Sequence, residues 1–174
     1  MRKCKKHEIN CFINGVIYLN SDMGRSDKRE KIYCRTEISI KQITPYMKKD
    51  VLQKNAKYWI YVAKPTQMHR PSKQNPIIQS YVDIFIGGCV EQAARIANKK
   101  VSNLKFNDDY GYVFDCINTT KGWTTDFWLN DRVYPQRPWV MSPYSRQIDR
   151  ALSQSYQSGY VKGKLKYKNI QLKK

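Results

Sequence analysis

Long apolar runs are missing from this 174-residue chain. Its apolar stretches are short and broken by charge, far from the roughly 18 consecutive apolar residues of a membrane span. The opening "MRKCKKHEINCF" also lacks an apolar signal region. The expectation is a protein with no membrane partner, not secreted, working in the cytoplasm or within a virion. An even cysteine set is missing too. The five cysteines, at 4, 11, 34, 89 and 116, are irregularly spaced, which argues against a complete disulfide framework and for a reducing compartment. There is no Gly-rich phosphate loop, HExxH, GxSxG or paired CxxC, so no cofactor is expected and no complete catalytic signature is in view. Internal repeats, heptads and low-complexity blocks are absent as well.

The scarcest commodity is negative charge. Fourteen Asp and Glu face 32 Lys and Arg, a formal net charge of +18, which favours polyanionic partners. The excess is +8 over residues 1–60, +2 over 61–130 and +8 over 131–174. Apolar residues make up 41% of the chain and aromatics 13%, with 13 Tyr; this is the composition of a folding chain and not of a disordered one. Lys, Asn, Ile and Tyr, whose codons are A/T-rich, are frequent and hint at a low-GC genome such as many phages have.

Local patterns predict a single α+β domain over 1–174, mainly an antiparallel sheet with about three short helices. An N-terminal hairpin or meander would span 8–40, with a C-terminal helix and basic strand over 143–172. Asn14-Gly15 between apolar runs predicts a two-residue hairpin turn. Residues 31–40 alternate, with Ile32, Cys34, Thr36, Ile38 and Ile40 on one face, as in a strand. Thr44-Pro45 offers a helix start, and "KYWIYVAK", "IIQSYVDIFIG", "VSNLKF", "YVFDCI" and "DFWL" read as strands. "GGCVEQAARIANKK" has helical spacing. Ser142-Pro143 opens a last helix with Tyr144, Ile148, Ala151, Leu152 and either Ser155 or Tyr156 on one face and Arg146, Arg150 and Gln154 on another. In "GYVKGKLKYKNIQLKK" the alternation puts Lys164, Lys166 and Lys168 on one side of a short edge strand.

Several constellations invite chemistry. Cys4, His7, Cys11 and Cys34 are four soft ligands of the kind a tetrahedral zinc site uses, but their spacing is not that of a knuckle, and free thiols with no metal are the preferred reading. "DIFIGGC" (83–89) and "DYGYVFD" (109–115) resemble the two aromatic signatures of RNA-recognition-motif domains, in which adjacent strands present rings to bases. Asp108-Asp109 and Asp115 depart from those signatures, and the alternative is a strand-to-helix turn, a hairpin and core aromatics. Asp83, Glu91, Asp108, Asp109, Asp115 and Asp126 would hold Mg²⁺ in a nuclease if they converged, and His69 beside Arg70 and Lys73 would suit a base for RNA cleavage. Trp123, Phe127, Trp128, Tyr134 and Trp139, interleaved with Lys121, Arg132 and Arg137, are either stacking rings or core and interface residues.

The function expected is non-enzymatic binding of nucleic acid, DNA or RNA, through phosphate contacts. Its residues would be Arg2, Lys3, Lys5 and Lys6 at the start, Arg146 and Arg150 on the last helix, and Lys162, Lys164, Lys166 and Lys168 on the last strand, with Trp123, Trp128 and Trp139 as aromatic contacts. The alternatives are a structural subunit of a virion or ribonucleoprotein, bound to other protein subunits, and a metal-dependent nuclease.

Overall fold

Asp22 starts the first helix by accepting a hydrogen bond from the Arg25 amide (2.8 Å), and Lys28 and Arg29 complement the dipole at its other end. This is α1, Met23–Arg29, in a computed structural model that describes residues 15–47, 52–64, 66, 69–120, 127–136 and 141–157. Two compact units divide the chain, Val16–His69 in the first and Arg70–Lys174 in the second.

In the first unit, β1 (Tyr33–Ile38) pairs antiparallel with β2 (Tyr58–Ala63), with Tyr33 opposite Ala63, Arg35 opposite Tyr61 and Glu37 opposite Trp59. Both strands were legible from their alternation and their β-branched and aromatic content. One face of this ribbon carries Tyr33, Arg35, Glu37, Trp59 and Tyr61, and the other Cys34, Thr36, Ile38, Tyr58, Ile60 and Val62. Cys34 is disulfide-bonded, which corrects its reading as a free thiol or zinc ligand. Among the described residues of this unit only Ser26 is buried, so α1, the ribbon and the disulfide stand on little hydrophobic burial.

The expected hairpin at Asn14-Gly15 does not continue in its second arm. Asn14 lies outside the described residues, and Val16 to Leu19 form no strand and are all exposed; a ladder with no buried face has little to hold it. The helix expected from Thr44-Pro45 is likewise absent over 44–47 and 52–57; residues 48–51 are outside the described set. The cap signals there are not backed by any buried face, and short isolated helices are marginal.

The second unit is helical and not mainly sheet. Its helices are α2 (Gln79–Ala97), α3 (Phe106–Asp109), α4 (Gly111–Thr119) and α5 (Ser145–Gln157), with a two-residue parallel pairing of β3 (Ile77–Ile78) to β4 (Trp128–Leu129). Thus the chain holds both helices and strands, but among the described residues each of the two sheets has two strands and one of them is parallel. The stretch "IIQSYVDIFIG" overturns the expected strand. Burial falls on Val82, Ile86, Cys89, Val90 and Ala93, the 3.6-residue period of one helical face. "YVFDCI" is helical for the same reason, Tyr112, Val113, Cys116 and Ile117 packing inward from α4, and "VSNLKF" is no strand either: Val101–Asn103 form a short 3-10 turn and Phe106 opens α3. Asn98 ends α2 in the left-handed region (φ 53°), its amide bonded to the Ala94 and Arg95 carbonyls. In α5 the predicted face is the observed one, with Ile148, Ala151, Leu152 and Ser155 buried and Arg146, Arg150 and Gln154 exposed. Helices α2, α3 (through Phe106), α4 and α5 make one core with Trp128.

Candidate nucleic-acid interface

Charge is spent very differently in the two units. The described residues of the first, 16–64, hold nine Lys and Arg against four Asp and Glu. Only Arg29, to Glu30 (2.7 Å), and Arg35, to Asp27 (3.2 Å), are ion-paired; Arg25, Lys28, Lys31, Lys41, Lys54, Lys57 and Lys64 make no ion pair among the described residues. Among the described residues of the second unit nine basic residues meet seven acidic ones, and the strongest of their contacts is internal.

That contact is Arg132. Its Nε and Nη2 donate to Asp83 (2.6 and 2.8 Å), and its Nη1 and Nη2 donate to Asp149 (2.8 and 2.7 Å). Gln79 Nε2 adds a third donor to Asp83 (2.7 Å). The carboxylate of Asp83 holds Arg132 further toward its charged form than an arginine in water. Nearby Asp131 accepts from the Ser80 amide and hydroxyl (2.8 and 2.6 Å) and from the Gln136 amide (2.6 Å), so it serves the α2 start that lacks a cap of its own. The network ties the segment after β4 to α2 and α5. Its cation is fully engaged by carboxylates, so Arg132 is a staple and not a phosphate contact.

The carboxylates weighed for a nuclease have separate occupations. Asp83 faces Arg132, while Asp109 is held below the usual carboxylate range, first by Lys99 (2.8 Å) and then by the Lys105 amide (2.7 Å). Asp126 lies outside the described residues, and among the described ones no three His, Cys, Asp or Glu come together. His69, Arg70 and Lys73 are exposed. Cys89 and Cys116 are free, buried and in contact between α2 and α4; donation to Cys116, helped by burial, pushes the Cys89 thiol up.

Of the expected contact residues, Arg146 and Arg150 are exposed on α5, with the Arg150 guanidinium 4.1 Å from the Phe106 ring centroid. Arg2, Lys3, Lys5, Lys6, Lys162, Lys164, Lys166, Lys168, Trp123 and Trp139 lie outside the described residues, as do Cys4, His7 and Cys11. Trp128 is corrected: at 2% exposure it is a core residue on β4 and offers no ring to a base. The aromatic-signature resemblance is corrected as well, because 84–88 lies within α2 and 110–113 at the start of α4, not on adjacent strands.

One aromatic went unnoticed in the sequence. Trp59 sits diagonally across the ribbon from Arg35, whose guanidinium lies 4.8 Å from the ring centroid. The alternation of "KYWIYVAK" against 31–40 held that pairing, but only the register, with Glu37 opposite Trp59, selects it. No family model, no curated protein and no solved structure matches this chain.

Proposed function

We propose that the protein binds nucleic acid without catalysing a reaction on it, gaining its affinity from Lys and Arg contacts to phosphates. The observation that supports this best is the set of seven first-unit cations with no ion pair among the described residues, in a chain of net charge +18. Cations that fold against carboxylates are already compensated; these meet none among the described residues, and a polyanion would release its own counterions on meeting them. Arg146 and Arg150 on α5, and the terminal Arg2, Lys3, Lys5, Lys6, Lys162, Lys164, Lys166 and Lys168, belong to the same reading.

Anisotropy of a labelled oligonucleotide, titrated at several salt concentrations, tests it. The logarithm of the association constant is expected to fall against the logarithm of salt with a slope of about −0.7 to −0.9 per phosphate neutralised. A flat response would overturn the reading. The second reading is a structural subunit of a virion or ribonucleoprotein. It is favoured by the outer face of α2, where Tyr81 is 65% exposed and Ile84 is exposed one turn on, since apolar groups of this kind mark protein contacts. Self-assembly, or binding to another protein with no affinity for nucleic acid, is the outcome that would select it.

A further inference from the structure

Of the three rings on one face of the β1–β2 ribbon, Tyr33, Trp59 and Tyr61, the first two are exposed and Tyr61 is half-buried. Trp59 is 37% exposed and Tyr33 38%. The register separates them by four residues along the strands, about 13 Å, which is the rise of about four stacked nucleotides at 3.4 Å each. Trp59 is held in place before any ligand arrives. Arg35 lies over its ring at 4.8 Å, Asp27 grips Arg35 at 3.2 Å, and the Tyr61 hydroxyl donates to the same Asp27 at 2.8 Å. A ring fixed in this way loses little freedom on binding.

Cations flank both rings. Lys57 precedes β2 by one residue at the Trp59 end. At the Tyr33 end the Lys64 ammonium donates to the Lys31 carbonyl (3.2 Å), which keeps the two lysines together. Lys31, Lys57 and Lys64 make no ion pair among the described residues. Exposed rings with unneutralised cations beside them are the combination that unpaired bases and their phosphates complement, because every base has a face to stack and every phosphate a charge to place. A duplex offers the phosphates but keeps its bases stacked on one another.

We propose that this face binds single-stranded nucleic acid, with Trp59 and Tyr33 stacking on bases and Lys31, Lys57 and Lys64 contacting phosphates. The proposal rests on the nucleic-acid reading above and adds strandedness and position to it. The test uses the full chain with labelled oligo(dT) or oligo(rU) of about 12 nucleotides, and a duplex of the same length.

Trp59→Leu is expected to weaken single-strand binding by about 5- to 150-fold, the range a stacked base supplies, and to leave duplex binding within about twofold. Trp59→Phe keeps a ring and is expected to recover most of the loss. Tryptophan emission is expected to be quenched by the oligonucleotide in the wild type and less so in Trp59→Phe. This second readout decides the matter if Trp59→Leu does not fold. If Trp59→Leu binds oligonucleotide as the wild type does, or if quenching is equal in wild type and Trp59→Phe, the stacking proposal falls while salt-dependent phosphate binding stands. If the wild type binds no nucleic acid at all, both fall.

Discussion

Replacing Arg132 with methionine would leave Asp83 among the helices with its principal partner gone. Asp83 is 3% exposed and receives two of the four short Arg132 hydrogen bonds; only the Gln79 amide would remain as a donor. Removing one partner of a buried ion pair typically costs about 3–5 kcal/mol, because the remaining charge keeps its desolvation penalty. Asp149, the other carboxylate on the same guanidinium, is 49% exposed, and water takes over its solvation when the pair is broken. Asp149→Asn is therefore expected to cost about 1 kcal/mol or less. Urea unfolding followed by circular dichroism reads the contrast: for an m-value of about 2 kcal/mol/M, Arg132→Met moves the midpoint by about 1.5 M or more and Asp149→Asn by about 0.5 M or less. The double variant Arg132→Met with Asp83→Asn is expected to recover part of the loss, since no buried charge is then left alone. Equal costs for Arg132→Met and Asp149→Asn, or a cost below about 1 kcal/mol for the former, would refute the claim that Asp83 is a buried charge dependent on Arg132.

Two further outcomes follow from the same physics. Trp128→Ala empties a core position and is expected to cost about 3–5 kcal/mol, while the slope of nucleic-acid binding against salt, measured where the variant is folded, stays unchanged; a changed slope with unchanged stability would return Trp128 to the surface. Asp109 titrates below an ordinary aspartate because Lys99, and then the Lys105 amide, favour its charged form. A depressed folded pKa gives stability that is present above the unfolded value of about 3.9 and is lost as pH falls through the folded value. The carboxyl shift of Asp109, followed by NMR against pH, is expected to move up toward about 3.9 in Lys99→Ala; an unmoved titration would deny the Lys99 contact its role.

The pattern of α5 shows how far a sequence reaches when one helix has one buried stripe. Ile148, Ala151, Leu152 and Ser155 declare the buried face and Arg146 and Arg150 the exposed one, with Ser142-Pro143 just ahead of the start. The ribbon strands were equally plain from their alternation. For "IIQSYVDIFIG" and "YVFDCI" the same reasoning failed, because β-branched and aromatic residues favour strands only weakly and packing overrides that preference.

Composition and charge were therefore decided by the sequence alone: a folding chain of +18 with basic ends and no long apolar run. Local periodicity set α5, β1 and β2. Tertiary structure decided the rest, since whether Trp128 is core or contact, whether Asp83 meets a cation, and whether Trp59 faces Arg35 all depend on which distant segments pack together. Those pairings link residues some 20 to 50 positions apart in the chain. Propensity and spacing act over a few turns or strand residues, and carry no information at that range.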